Sequence, residues 1–189
     1  FKMITVCPKC GSLLVRKPNE AAYYCVNEEC DSKKIEKLIH FASREAMNID
    51  GLGENIIGVL LEKKMISNIA DIYDLKFEDI ASLKKNGKKF AQNLIDSINA
   101  SKENDLYRLI TALGIRHVGV KAAKILAKQY GDMNKLSEAT VENLSEVEDI
   151  GTIVVNRIRE FFDQVQTKKV LASIKDAGVN IKIKKKEDE

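Results

Sequence analysis

The chain has 189 residues, of which 44% are hydrophobic and 31% are charged, and its formal net charge is +3. This length allows one good core or two small modules, and the composition is that of an ordinary globular protein. No apolar run approaches the roughly 20 residues that span a bilayer, and the start FKMITV lacks the regions of a signal peptide, which argues against membrane and secreted proteins. We therefore expect a cytoplasmic protein without a membrane partner. Because the first residue is Phe1 rather than Met, we expect a piece of a longer protein.

Residues 1–32 contain all the cysteines, in a spacing that favours a metal site. They form C-x2-C and C-x4-C pairs separated by fourteen residues, and they are Cys7, Cys10, Cys25 and Cys30. Short strands are predicted at Leu13–Val15 and Ala22–Tyr24, and Gly11 allows the chain to turn back after the first pair. Four thiolates suit a tetrahedral, structural Zn²⁺ with no open position. Two disulfides are the alternative, which a reducing cytoplasm disfavours.

Residues 33–48 predict a helix that connects the zinc finger to the rest of the chain. Its apolar positions fall on one face and are Ile35, Leu38, Ile39 and Ala42. His40 lies on the same helix. Since the zinc site is already filled by cysteines, we expect His40 to be a surface or packing residue.

Residues 49–163 repeat one pattern around a glycine. The four glycines are separated by 34, 32 and 32 residues and are Gly53, Gly87, Gly119 and Gly151. Apolar residues recur four and seven positions before and after each of them, which indicates two helices joined by a glycine turn. Such a period marks a repeated unit. We predict a mainly α fold in which four tandem helix–hairpin–helix motifs follow a small β-containing four-cysteine zinc finger.

Helix starts and the last segment complete the prediction. Candidate helix caps are Asp71, Ser82, Ser137 and Thr140. Residues 164–189 predict a helix at Val165–Ala177, a short strand at Val179–Ile183 and a solvated charged tail.

The glycine turns predict binding to the phosphate backbone of DNA. A helix N-terminus carries unsatisfied N–H donors and partial positive charge, and glycine lets a phosphate approach them closely. Residues 84–130 contain ten Lys or Arg against three acids, a local balance of +7, which favours a polyanion. The predicted DNA-binding residues are Gly51, Gly53, Gly87, Lys88, Lys89, Arg116, His117, Gly119, Lys121 and Lys124.

The four hairpins are not equivalent. Two positions before the repeated glycine stand Gly51, Lys85, His117 and Asp149. Residues 131–163 contain three Lys or Arg against eight acids, so Asp149 lies in an acidic stretch. We expect the fourth hairpin to serve packing more than DNA. A helical protein-interaction scaffold is the alternative for the whole array.

These motifs resemble the C-terminal half of bacterial NAD⁺-dependent DNA ligases over nearly the whole chain. The matching stretches are Cys7–Ser12, Glu20–Ala22, Cys25, Asn27, Cys30, His40–Arg44, Ala46–Gly53, Ala70–Leu75 and Leu113–Gly119. In that family the finger follows an oligonucleotide-binding barrel, and a BRCT domain follows the hairpin array. The resemblance implies that the first residues of this chain can be the end of that barrel. Lys85-Asn86 departs from the glycine and aromatic or aliphatic residue usual in the second hairpin of that family.

The resemblance implies the DNA-binding portion of an enzyme that seals nicks in duplex DNA during replication and repair. Family members use NAD⁺ to adenylate a lysine in a K-x-D-G motif, and this motif is absent from the sequence. We therefore expect the chain to bind nicked double-stranded DNA as a monomer, without being catalytic alone. NAD⁺ would be a cofactor of the parent enzyme only. A helix–hairpin–helix subunit of another repair or recombination enzyme is the alternative.

Overall fold

The computed structural model describes residues 3–184, and most regular structure in this part of the chain is helical. Its elements are β1 (Leu14–Arg16), β2 (Tyr23–Cys25), α1 (Asp31–Ala42), α2 (Glu54–Glu62), a 3₁₀ helix (Ile69–Asp74), α3 (Phe77–Ala81), α4 (Lys88–Ser101), α5 (Leu106–Ala112), α6 (Val120–Tyr130), α7 (Met133–Glu138), α8 (Val141–Ser145), α9 (Thr152–Asp163) and α10 (Val165–Asp176). The predicted mainly α fold with a small β module is confirmed.

The first module is a two-stranded antiparallel sheet with little interior of its own. β1 and β2 pair in the register Leu14↔Cys25 to Arg16↔Tyr23. Leu13 is 70% exposed and Ile4 is 61% exposed, whereas the cysteines Cys7 and Cys30 are buried. Since a module of this kind buries almost no apolar surface, its cysteines must supply the stabilisation that a core supplies elsewhere.

Helix α1 is shorter than the connecting helix predicted for residues 33–48. It begins at Asp31 and ends at Ala42, and Ser43 turns the chain by donating its hydroxyl and its N–H to the carbonyl of His40. The residues up to Met47 form turns, and Asn48 has a left-handed backbone with φ of 52°. The first repeat therefore has a turn where the other repeats have a short helix.

The remaining repeats are helix pairs, and one core joins them. The pairs α3 and α4, α5 and α6, and α8 and α9 pack within their units. Helix α1 packs against α2, α5 and the 3₁₀ helix, while α10 packs against α9 and returns to the 3₁₀ helix. A single cluster of buried side chains consequently extends from Leu38 to Val179.

The predicted helix caps were only partly right. Thr140 is the N-cap of α8 and accepts a 3.2 Å hydrogen bond from the N–H of Asn143. Asp71 instead lies inside the 3₁₀ helix, where it completes a capping box with Asn68. Ser82 follows the end of α3, and Ser137 lies within α7. These side chains bond carbonyl or preceding N–H groups, which sequence alone does not distinguish from an N-cap.

The segment after α10 returns to the end of α6. The predicted strand at Val179–Ile183 is reduced to a single bridge between Asp132 and Lys182. The N–H of Met133 donates to Ile181, and the N–H of Ile183 donates to Gly131, each at 2.9 Å. Residues 185–189 of the predicted charged tail lie outside the described residues. None of the described helices is long and apolar enough to cross a membrane.

Candidate metal centre and nucleic-acid interface

The four cysteines meet at one point of the finger with the spacing of a zinc site. All four Sγ atoms lie within 4.8 Å of one another, with 3.9 Å between Cys7 and Cys30 and 3.5 Å between Cys10 and Cys25. Zn–S bonds of about 2.3 Å in a tetrahedron place the sulfurs about 3.8 Å apart. All four cysteines are free thiols, so the disulfide alternative is not adopted. The residues fit a structural Zn²⁺.

Local backbone geometry orients these thiols. Gly11 has φ of 73°, and its N–H donates to the carbonyl of Cys7 at 2.8 Å, which closes the first knuckle. Cys30 is the N-cap of α1, so its sulfur lies at the positive end of a helix dipole.

Hydrogen bonding also separates the acidities of one thiol pair. Hydrogen bonds from the hydroxyl and the N–H of Ser12 lower the pKa of Cys10 to about 6. For Cys25 the N–H of Asn27 acts to lower the pKa, but burial and the neighbouring thiols outweigh it and raise the value to about 11. Zinc binds thiolates, so loading the metal releases the protons that these thiols retain.

The first, third and fourth hairpins share one backbone geometry. The residue two positions before the helix glycine is left-handed in each, with φ of 88° at Gly51, 68° at His117 and 64° at Asp149. The next N–H donates to the carbonyl three residues earlier, at 3.4 Å for Leu52, 2.9 Å for Val118 and 3.3 Å for Ile150. The repeated glycine then starts the helix as an extended N-cap in all three.

These three helix starts are open to an anion. No side chain within the described residues caps α2, α6 or α9. A Cβ atom added to Gly53, Gly119 or Gly151 would meet no atom of the described residues within 4 Å, so the chain is open beside each helix start. Exposed N–H donors with a positive dipole behind them are suited to phosphate.

The second hairpin has a different geometry. Its left-handed residue is Asn86, one position before the glycine, with φ of 58°. Gly87 is buried, its N–H donates to Lys84 at 3.1 Å, and an added Cβ would lie 2.3 Å from the carbonyl oxygen of Ala81. Gly87 was predicted as a DNA-binding residue, but this position requires glycine for packing against α3. Lys88 and Lys89 follow it and are exposed.

Basic side chains lie beside the second and third hairpins, whereas the exposed acids Asp50 and Glu54 flank the start of α2. Lys121 and Lys124 are exposed on the first turns of α6. The Nζ atom of Lys124 lies 5.1 Å from the ring centre of Tyr107, and that of Lys84 lies 4.0 Å from the ring centre of Phe90. Such cation–π contacts hold a lysine near the surface while leaving its charge in place.

Arg116 contacts the zinc finger, an arrangement that the sequence did not predict. Its Nη2 atom donates to Oε1 of Glu20 at 2.9 Å, and its guanidinium lies 5.6 Å from the ring centre of Tyr24. The Tyr24 hydroxyl and the Arg116 charge hold the pKa of Glu20 below its usual range. These residues are 96 positions apart, so no local pattern signals the contact. The neighbouring His117 is exposed, and His40 packs with Nε2 2.7 Å from the carbonyl of Thr111.

The fourth hairpin has the same backbone with the opposite charge. Glu146, Glu148 and Asp149 are exposed around its turn, and Ile153 on the first turn of α9 is 67% exposed. Carboxylates at this position would repel a phosphate, although α9 has no side-chain cap among the described residues. The geometry alone therefore does not make a hairpin a phosphate site.

A four-cysteine finger followed by helix–hairpin–helix units defines a recognisable class of protein, and comparison with family models bears this out. Residues 6–31 match the NAD-dependent DNA ligase C4 zinc finger domain. Residues 43–100 match a SAM-like helix-hairpin-helix tandem, and residues 108–171 match a helix-hairpin-helix motif.

Curated relatives of similar sequence are named DNA ligases. A DNA ligase of Clostridioides difficile is 48% identical over 182 residues, which cover 96% of this chain and 27% of the relative. A DNA ligase of Anoxybacillus flavithermus is 45% identical over 184 residues, which cover 97% of this chain and 27% of the relative. The chain is therefore similar to a part of these bacterial DNA ligases, and it spans about a quarter of their length.

Proposed function

We propose that this chain is the DNA-binding part of an NAD⁺-dependent DNA ligase that seals nicks in duplex DNA. It would hold the nicked duplex as a monomer in the cytoplasm, during replication and repair, while other parts of the parent enzyme perform the chemistry. The relatives named DNA ligase and the zinc-finger model that names NAD support this assignment. The observation that carries it is the pair of uncapped glycine helix starts in the first and third hairpins.

In this proposal the backbone N–H groups of α2 and α6 bind phosphate oxygens. Gly53 and Gly119 leave room for the phosphate, and Lys121 and Lys124 add charge beside the second of these sites. Since N–H groups contacting phosphates do not read base edges, binding is independent of sequence. Each neutralised phosphate releases counterions, so affinity falls steeply as salt rises.

Ligation itself requires residues that this chain does not contain. No K-x-D-G motif occurs in the sequence, so no lysine here is placed to accept AMP from NAD⁺. NAD⁺, when bound to the parent enzyme, supplies the adenylyl group. We infer that the chain alone positions DNA and performs no ligation step.

The test is fluorescence anisotropy with nicked, continuous and sequence-shuffled duplexes at several salt concentrations. The variants Gly53→Asp and Gly119→Asp place a carboxylate where phosphate would bind. Aspartate is a favourable N-cap, so these changes preserve or raise helix stability while repelling DNA. We expect about tenfold or greater loss of affinity, which corresponds to about 1.4 kcal/mol.

Gly151→Asp is the matched control. It makes the same chemical change at the same backbone geometry, in the hairpin whose acidic surroundings disfavour phosphate. We expect its DNA affinity to equal that of the unchanged chain. Absence of salt-dependent binding, or equal affinity in all three variants, would show that the array is a protein scaffold instead.

A further inference from the structure

One side chain joins the zinc finger to the third hairpin. Arg116 lies in the turn that leads into α6, and it donates to Glu20 of the finger at 2.9 Å. Its guanidinium also lies over the ring of Tyr24, at 5.6 Å from the centre. The side chains of Arg116 and Glu20 are 39% and 32% exposed, so the pair is partly shielded from solvent.

We propose that Glu20 and Tyr24 are positioning residues for the third hairpin, so that the zinc finger supports its phosphate site. The finger would then do more than connect two parts of the chain. The expected effect on DNA binding rests on the proposed function. The stabilisation of the hairpin turn by the finger does not, and it can be measured without DNA.

The finger side of this contact is held by hydrogen bonds to the backbone of Glu20. The N–H of Glu20 donates to Lys17 at 3.2 Å, and its carbonyl accepts from Nε of Arg16 at 2.7 Å. Tyr24 lies in β2 immediately before the zinc ligand Cys25. Both contact residues therefore depend on the fold of the zinc module, and the position of Arg116 depends on them.

The hairpin side has a reason to need support. His117, next to Arg116, holds a left-handed backbone with φ of 68°, which is unfavourable for a residue other than glycine. The flanking residues Ile115 and Val118 are buried, and the N–H of Val118 donates to Ile115 at 2.9 Å. An anchored Arg116 adds a third restraint to a turn that stores strain.

The two partners also depend on each other electrostatically. Within the described residues, Oε2 of Glu20 is buried and has no hydrogen bond of acceptable geometry, although the Tyr24 hydroxyl lies near the carboxyl group. A carboxylate with a buried oxygen is costly unless a positive charge compensates it. Arg116 provides that charge, so loss of either partner leaves the other uncompensated.

The first measurement is amide hydrogen exchange of residues 115–119 in the zinc-loaded chain without DNA. We expect Glu20→Gln and Arg116→Gln each to speed this exchange about threefold to fivefold, the range of a partly exposed ion pair. The double variant should add little, because either change already removes the contact. Zinc content is measured in parallel for each variant. If Glu20→Gln lowers the zinc content, Arg116→Gln still removes the contact without changing a residue of the finger.

Glu28→Gln is the matched control. Glu28 is also a finger carboxylate in ion pairs, with Lys33 at 3.3 Å and Lys37 at 2.8 Å, but these pairs are with α1 and not with the hairpin. We expect it to leave exchange at residues 115–119 unchanged. Equal exchange in Glu20→Gln, Arg116→Gln and the unchanged chain would overturn the proposal.

DNA affinity then separates positioning from simple charge effects. Removing the negative charge of Glu20 should strengthen binding to a polyanion if charge alone matters. Positioning predicts the opposite sign, a loss of about threefold or more from the weakened hairpin. A gain in affinity would overturn the proposal. It would mean that the ion pair with Glu20 keeps Arg116 away from DNA and does not support the hairpin. If the unchanged chain binds no DNA but exchange responds as expected, the proposed function fails and the structural support stands.

Discussion

Glycine occupies the same repeat position in all four hairpins for two different physical reasons. At Gly119 an added Cβ would meet no atom of the described residues within 4 Å, so no packing contact among them requires glycine there. At Gly87 the added Cβ would lie 2.3 Å from a backbone oxygen of Ala81. The same letter in the sequence therefore marks a candidate phosphate contact in one hairpin and a close helix approach in another.

This difference predicts opposite effects of alanine on stability. We expect Gly87→Ala to lower the free energy of unfolding by about 1–3 kcal/mol, because the backbone of α3 must move to admit the methyl group. The control Gly58→Ala, in α2 with nothing within 4 Å, should raise it by about 0.5–1 kcal/mol. Urea unfolding of both variants measures this, and similar values for the two would contradict the assignment.

Among the elements, the turn at Ser43–Met47 shows how a distant side chain decides local structure. Nη1 of Arg108 donates to the carbonyls of Arg44 and Ala46, each at 3.0 Å. Nδ2 of Asn104 donates to the carbonyl of Met47 at 2.9 Å. These bonds satisfy carbonyl groups that would accept backbone hydrogen bonds if the segment were helical. The chain therefore stays in a turn here and leads through the first hairpin into α2.

We predict that Arg108→Met destabilises this turn. Methionine keeps the apolar stem but removes both donors, so the free energy of unfolding should fall by about 1.5–3 kcal/mol. Amide exchange at residues 44–49 should increase with it. Arg157→Met is the control, because among the described residues the polar partner of Arg157 is an exposed carboxylate, that of Glu160 at 3.1 Å, and its effect should stay within about 0.5 kcal/mol. Equal losses in the two variants would refute this role of Arg108.

For the whole molecule, the two modules are stabilised by different means. The core cluster from Leu38 to Val179 belongs to the helical array and includes no cysteine. The finger instead exposes apolar side chains on its small sheet, including Val15 at 45% and Val26 at 57%. Metal binding therefore supplies the folding free energy of the finger, and hydrophobic burial supplies that of the array.

Zinc removal should consequently unfold the finger while the helices of the array stay folded, and in the array only the turn at residues 115–119, which the finger supports in our proposal, should exchange faster. We expect a chelator to abolish protection of amides in residues 3–30 while most helical circular dichroism remains. Adding Zn²⁺ back should restore protection of these amides, provided that a reductant keeps the four thiols reduced. Cooperative loss of all helical signal on chelation would show that the array depends on the finger for its stability.

Short-range patterns in the sequence were sufficient for the fold class and for the resemblance to bacterial DNA ligases, and they singled out four cysteines whose sulfurs lie within 4.8 Å of one another. The spacing of the cysteines and the repeat of the glycines each involve residues that are close together in the sequence. Local backbone geometry and metal-ligand chemistry are therefore enough to interpret them. The predicted hairpins lie at the repeated glycines, and the family matches bear out the recognition. The role of individual glycines in DNA binding remains a prediction.

Only the tertiary structure showed which contacts the individual residues of each repeat make. The close approach of α3 explains glycine at Gly87, Arg108 and Asn104 bond the carbonyls of the turn that follows α1, and Glu20 pairs with Arg116 across 96 positions. Helical periodicity carries no information about such partners, because it reports which face of an element is apolar and not which distant donor reaches its carbonyls or charges. Packing brings those groups together, and their pairing then sets the local geometry.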